Sequence, residues 1–178
     1  MEDESSIDTR LTAGLERADS EDRQARVARI KWLSLHERRP GITFGRTETM
    51  RLLSEARETF IDGHFVASLL LATAFIEHTL SDELQKLGHV SSSPSFSRAI
   101  VLAGECKVFP DDWLARADAL RLKRNPFAHL KEPKHEHNLG VRFRKQNVNP
   151  NRVMEADAKD AISLMWDFFV ATLMEGDA

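Results

Sequence analysis

The segment that decides the fold is residues 65–84, which read FVASLLLATAFIEHTLSDEL. Phe65, Leu69 and Ile76 belong to a stripe of apolar residues repeating every three or four positions, which is typical of an α-helix. Further leucines widen the stripe until most sides of the helix are apolar. A helix of this kind lies at the centre of a bundle. We therefore predict a central helix from about His64 to Leu87, followed by Gly88 as its C-terminal cap.

Glu77 interrupts the apolar surface of this helix. It lies seven residues after Leu70 and seven before Leu84, so its carboxylate projects from an apolar face. Burying an unpaired charge is costly, and a carboxylate at this position needs a partner. Two interpretations stay open: Glu77 supports a functional site, or it lies at the rim of the core and pairs with a lysine.

The rest of the chain is also predicted to be helical. Alanine, leucine and glutamate are plentiful, tyrosine is absent and β-branched runs are short. We predict an all-α protein, an up-and-down bundle of four to five helices with an additional N-terminal helix and one irregular basic loop. Besides the central helix, the predicted helical segments are about Ile7–Glu37 (with a break allowed near Ser20), Thr47–Phe60, Phe96–Ala103, Asp111–Arg124 and Val153–Met174.

The predicted helices divide the chain into two parts. Residues 1–46 form an N-terminal helical extension that packs on the core or on a second subunit, and residues 47–178 form the bundle. Pro40 and Gly41 end the first helix, because proline cannot continue it and glycine turns freely. Thr47 is the predicted N-cap of the next helix.

Residues 131–152 are the least regular part of the sequence. They contain two prolines, one glycine and several asparagines, and only residues 141–144 alternate as a strand would. We predict a flexible or hairpin-like loop rich in basic side chains.

Composition restricts the class of protein. A single cysteine, Cys106, excludes an internal disulfide and a multi-cysteine zinc cluster. The acidic N-terminus lacks the features of a signal peptide, and no apolar run approaches the roughly 20 residues of a membrane span. We expect a cytoplasmic protein with no membrane contact.

The basic residues are concentrated in one region although the net charge is −3. Residues 116–152 contain ten lysines and arginines and few acids, which predicts either a local phosphate-binding patch or a solvated face. An acidic chain with one basic patch is unlike a protein that coats DNA. The candidate RNA-binding side chains are Arg121, Lys123, Arg142, Arg144 and Lys145.

A second segment, residues 120–130, reads LRLKRNPFAHL and combines cations, a proline and a histidine. Pro126 has no N–H and disfavours helical geometry at Asn125. We predict that the helix from Asp111 stops or kinks near Arg124, and that Asn125 caps a fresh turn. Such a break would bring Arg124 and His129 together, whereas an unbroken helix holds residues five apart about 140° from each other.

Arginine and histidine together supply the minimum for cleaving RNA without a metal. Histidine can take or give a proton near neutral pH, so it can deprotonate the ribose 2′-hydroxyl or protonate the leaving oxygen. Arginine presents a planar fork of donors that stabilises charge on the phosphate. The plain interpretation of so short a pattern is a helix-end arginine bonded to carbonyls and a packed histidine.

Together, residues 120–130 and the central helix resemble the HEPN superfamily over roughly residues 47–174. Its hallmark is an arginine, four to six residues and then a histidine, often with asparagine directly after the arginine. Arg124, Asn125 and His129 match this hallmark, and the long apolar helix matches the central helix of the family. Pro126 is not part of the hallmark, and residues 1–46 lie outside the resemblance.

The resemblance implies a four- or five-helix bundle that forms a homodimer, with both copies of the motif lining one cleft. Many members are metal-independent endoribonucleases of toxin–antitoxin, phage-defence or CRISPR-associated systems. Arg124 and His129 are then catalytic, Asn125 supports them, and Glu77 maps loosely to an acidic position of some members. RNA is the expected substrate, and neither a cofactor nor a metal is expected.

Two rival functions are open at this point. His129, His135, His137 and Glu136 could form a metal site, although neighbouring lysines disfavour a cation there. A non-catalytic module is the stronger rival: some HEPN members bind nucleotides or proteins, and the N-terminal helix could assemble with a partner such as an antitoxin or a defence-complex protein. A serine hydrolase and a glycine-rich phosphate loop are disfavoured, because the sequence has neither a Gly-x-Ser-x-Gly motif nor a glycine cluster.

Overall fold

The computed structural model describes residues 4–37 and 46–174. Within these two ranges the chain forms seven α-helices and no β-strand, which confirms the all-α prediction. The prediction that Pro40 and Gly41 end the first helix lies outside the described residues. The helices are α1 (Glu4–His36), α2 (Thr47–Ile61), α3 (Phe65–Lys86), α4 (Phe96–Glu105), α5 (Asp111–Ala128), α6 (Leu139–Gln146) and α7 (Pro150–Met174).

The chain divides into two units, Met1–Leu35 and His36–Ala178. The first unit holds nearly all of α1, which continues through Ser20 without the break that the sequence allowed. Side chains bridge this point along the helix: Arg26 Nη2 lies 3.4 Å from Asp19 Oδ1. The second unit contains the other six helices.

At the centre of the second unit is α3, which contacts α2, α4, α5 and α7. Leu69 and Ile76 on its predicted stripe are fully buried. Phe75, nearly opposite, is buried as well and meets Phe169 of α7 edge-on at 6.1 Å between ring centroids. The predicted central position of this helix is therefore confirmed, and the predicted cap residue Gly88 follows it in the left-handed conformation, with φ of 75°.

Length and composition alone would allow α3 to cross a membrane. Half of that apolar stretch is buried inside the bundle, as in the core helix of a soluble protein. The apolarity of α3 is explained by the four helices that surround it.

The ends of two helices differ from prediction. Thr47 is the first helical residue of α2, and Arg46 before it is the N-cap, with no side-chain capping bond. The N-terminal end of α2 therefore lies one residue earlier than predicted, a difference within the usual uncertainty of helix boundaries. Pro150 opens α7, three residues before the predicted start, because proline suits the first turn of a helix.

The prediction of a strand-like or hairpin segment at residues 141–144 was wrong. Residues 139–146 form α6, between an extended Asn138 and a left-handed Asn147. The alternation of Val141 and Phe143 was misleading because a tertiary contact holds this segment: Arg142 Nη2 donates to Asp157 Oδ1 of α7 at 2.8 Å. Residues 131–138 remain irregular, as predicted.

The predicted helix break near Arg124 was also wrong. Helix α5 continues through Pro126 to Ala128. Pro126 lies in the last turn, so its missing N–H removes only one helical hydrogen bond, and the His129 N–H still donates to the Asn125 carbonyl at 2.8 Å. Asn125 is therefore an interior helical residue and does not cap a new turn.

Candidate active site

The candidate site is built around an ion pair between α5 and α3. Arg124 Nη2 donates to Glu77 Oε2 at 3.0 Å. Both side chains are largely shielded, with 18% of Arg124 and 27% of Glu77 exposed. The carboxylate on the apolar face of α3 thus has its partner, and the partner is the predicted catalytic arginine instead of a lysine.

Phe96 provides a second contact for the same arginine. The guanidinium carbon of Arg124 lies 5.9 Å from the centroid of the Phe96 ring, at the first residue of α4. Phe96 is 4% exposed, so its ring is a fixed surface and the contact is partly desolvated. Glu77 and Phe96 together hold the guanidinium in one orientation while leaving part of it open to solvent.

His129 stands just past the end of α5. Its backbone is extended, with φ of −141° and ψ of 131°, and its side chain is exposed. Among the described residues no hydrogen bond or ion pair joins it to Arg124. The structure therefore brings Arg124 and Glu77 together but does not bring His129 into contact with them.

Asn125 follows Arg124 inside α5 and is half-buried. Its carbonyl oxygen accepts the N–H of His129. Its contribution is to the turn that precedes His129, since its backbone fixes the point at which the helix ends. In the described part of the chain its side-chain amide makes no hydrogen bond.

A single buried carboxylate forms ion pairs with two of the predicted RNA-binding cations. Asp157 of α7 is 3% exposed; Arg142 Nη2 lies 2.6 Å from its carboxylate and Lys123 Nζ lies 3.1 Å from it. These three residues tie α5 and α6 to α7. Because a buried carboxylate holds both side chains against α7, Lys123 and Arg142 are less available to phosphate than the exposed cations are.

The other three predicted cations differ in their availability. Arg121 pairs with Asp118 one turn earlier, at 2.7 Å. Arg144 is exposed and donates to the Gly140 carbonyl at 2.6 Å. Lys145 is exposed and has no ion-pair partner in the ranges that the structure describes. Arg144 and Lys145 are therefore the predicted cations that remain available to a nucleic acid.

The histidines of the loop after α5 do not form a ligand set. The His135 and His137 rings lie 5.5 Å apart, and His137 Nε2 is 3.7 Å from Glu136 Oε1. Among the described residues no three histidine, cysteine, aspartate or glutamate side chains come together as metal ligands would. The rival metal site has no cluster to support it here.

Sequence reasoning missed two residues of this region, Phe96 and Asp157. Asp157 had a detectable signal, because it lies four residues from Val153 and four from Ala161, both buried on α7. An acid on such a face indicates a buried ion pair, as Glu77 did on α3. Phe96 had no comparable signal, since its contact with Arg124 depends on how α4 packs against α5.

No protein-family model matches the chain, and neither a curated protein nor a solved structure matches it.

Proposed function

We propose that this protein is a metal-independent endoribonuclease of the HEPN type, with Arg124 and His129 as its catalytic residues. The observation that supports the proposal is the fixed guanidinium of Arg124, held by Glu77 and Phe96, followed five residues later by an exposed histidine. Phosphodiester transfer needs a preoriented cation and an available proton carrier, and these two residues supply both.

In the proposed reaction His129 removes the proton of a ribose 2′-hydroxyl. The 2′-oxygen attacks the adjacent phosphorus, the bond from phosphorus to the 5′-oxygen breaks, and the leaving oxygen takes up a proton. The products are a 2′,3′-cyclic phosphate and a 5′-hydroxyl. Arg124 stabilises the charge that develops on the phosphoryl oxygens.

One histidine cannot act as base and acid in the same step, and Arg124 and His129 do not touch within one chain. A homodimer would meet both requirements, because a second copy adds a second Arg124–His129 pair to one cleft. Asn125 then supports the phosphate through its free side-chain amide. Arg144 and Lys145 supply the sequence-independent attraction for the RNA backbone.

The biological setting that fits this chemistry is a cytoplasmic toxin or phage-defence nuclease held in check by a partner such as an antitoxin. Uncontrolled cleavage of RNA would harm the cell that makes the protein.

The test is incubation of the purified full chain with end-labelled RNA in EDTA, followed by analysis of the product ends. The proposal expects cyclic-phosphate and 5′-hydroxyl ends, and expects cleavage to disappear in Arg124→Ala and His129→Ala. Products with 3′-hydroxyl ends, or variants that cleave like the parent, would overturn it.

A specific observation also supports a second function, a non-catalytic HEPN-like module that binds a nucleotide or a partner protein. Arg124 is already paired with Glu77, and such an ion pair can join α3 to α5 without any catalytic role. If this second function is correct, the purified parent protein leaves RNA intact in EDTA. Arg124→Ala then lowers the free energy of unfolding, and there is no cleavage activity for it to abolish.

A further inference from the structure

The N-terminal half of α1 presents an apolar stripe to solvent. Ile7, Leu11 and Leu15 follow one another at intervals of four residues and therefore lie along one side of the helix. Their exposed fractions are 38%, 61% and 70%. Three large aliphatic side chains aligned in this way form a surface that another helix can cover.

Every residue of α1 from Ser6 to Ser20 is exposed. Isolated helices of this length are marginal in water, because most helical stability in proteins comes from packing of an apolar face. A 33-residue helix with an uncovered half therefore indicates a partner outside the single chain.

The charges of α1 are divided between its two halves. Residues 4–22 contain six acids and two arginines, a net charge of −4. Residues 23–36 contain three arginines, one lysine and no acid, a net charge of +4. The helix is thus complementary to itself when it is turned end to end.

We propose that α1 pairs antiparallel with α1 of a second copy of this chain. The antiparallel arrangement places each acidic half beside a basic half, while the parallel arrangement places like charges together. The stripe of Ile7, Leu11 and Leu15 supplies the apolar contact. The pairing is independent of the proposed nuclease function, because no residue of α1 belongs to the Arg124 site.

The first test measures the mass of the full chain in solution by light scattering after size exclusion. Leu11→Lys combined with Leu15→Lys places cations against the basic half of the other copy, and we expect the measured mass to fall by half. Leu35→Lys is the matched control: Leu35 is 82% exposed on the same helix but lies at least about 120° around it from Leu11 and Leu15. A monomeric parent, or a double variant that keeps the parental mass, overturns the proposal.

The second test measures the direction of pairing with a spin label at Ser6→Cys, in a Cys106→Ser background. With a rise of 1.5 Å per residue, antiparallel helices that cross near Ser20 hold the two labels about 40 Å apart. A parallel pair holds them about 10 Å apart, the usual distance between helix axes. A long distance that disappears in the Leu11→Lys, Leu15→Lys variant supports antiparallel pairing, and a short distance overturns it.

Discussion

Nη2 of Arg124 lies 3.0 Å from Oε2 of Glu77, and this pair joins α5 to the central helix α3. Ion pairs in full solvent contribute about 0–1 kcal/mol, whereas removing one partner of a buried pair costs about 3–5 kcal/mol. With 18% and 27% of the two side chains exposed, this pair falls between these cases. It can therefore stabilise the fold and orient the guanidinium at the same time.

The substitution Glu77→Gln tests both roles. It keeps the shape of the side chain and removes its charge, so we expect the free energy of unfolding to fall by about 1–2 kcal/mol. If the proposed nuclease function holds, we also expect kcat for RNA cleavage to fall more than KM changes, because that function gives Glu77 the role of positioning Arg124 without contacting the substrate. Denaturant melts and steady-state kinetics measure the two effects.

A double-mutant cycle of Glu77→Gln with Arg124→Gln separates the pair from other contacts of each residue. A coupling energy of about 1 kcal/mol in stability is expected. Coupling near zero would contradict the ion pair, and an unchanged kcat in Glu77→Gln would contradict its positioning role.

Replacing His129 should affect activity and not stability. Its side chain is exposed and makes no hydrogen bond or ion pair among the described residues, so we expect the Tm of His129→Ala to match that of the parent. Cleavage should fall at least about 100-fold, the usual contribution of a general acid or base. His89→Ala, an exposed histidine elsewhere on the bundle, is the matched control and should cleave like the parent.

Asp157→Ala should be the most damaging of these changes to the fold. It leaves Arg142, whose side chain is 10% exposed, without its carboxylate, and removes a partner of Lys123. An unpaired buried charge costs about 3–5 kcal/mol, which corresponds to a fall in Tm of about 10 °C or more in a domain of this size. Asp118→Ala is the control. The Asp118 side chain is 44% exposed in its pair with Arg121, so we expect its loss to lower the free energy of unfolding by less than about 1 kcal/mol.

The correct predictions from the sequence came from the periodic spacing of apolar residues. The stripe of Leu69 and Ile76 placed α3 at the centre, and Glu77 on the same helix indicated a partner before that partner was known. A charge on an apolar face requires compensation wherever it occurs, so the inference needs no knowledge of the fold.

Where the sequence misled, the deciding contact came from another helix. Val141 and Phe143 alternate, but the ion pair from Arg142 to Asp157 holds residues 139–146 as α6. Lys123 was expected to face RNA and is instead paired within the fold. The sequence shows which side chains are charged, but only the packing of the helices decides which of those charges stay unpaired.

The predicted RNA-binding cations that stay exposed should determine how RNA binding depends on salt. Lys145→Ala removes an exposed charge, so we expect weaker RNA binding and a salt slope smaller by about 0.7 for one lost single-strand phosphate contact. Lys123→Ala should leave this slope unchanged and lower Tm instead. Fluorescence anisotropy titrations at several salt concentrations distinguish the two, and equal slopes for Lys145→Ala and the parent would contradict the assignment.

Pro126→Ala tests whether the proline shapes the site. Because α5 already continues through this position, alanine restores an N–H that can donate to the Leu122 carbonyl in the last turn. Alanine also increases the conformational entropy of the unfolded chain, which lowers the stability of the folded protein by about 0.4–1 kcal/mol. We expect a net gain on the order of 1 kcal/mol in the free energy of unfolding. Cleavage should stay within a few-fold of the parent, since Arg124 is held by Glu77 and Phe96. A more stable variant that loses cleavage 100-fold would show instead that the proline ring sets the direction in which the chain delivers His129.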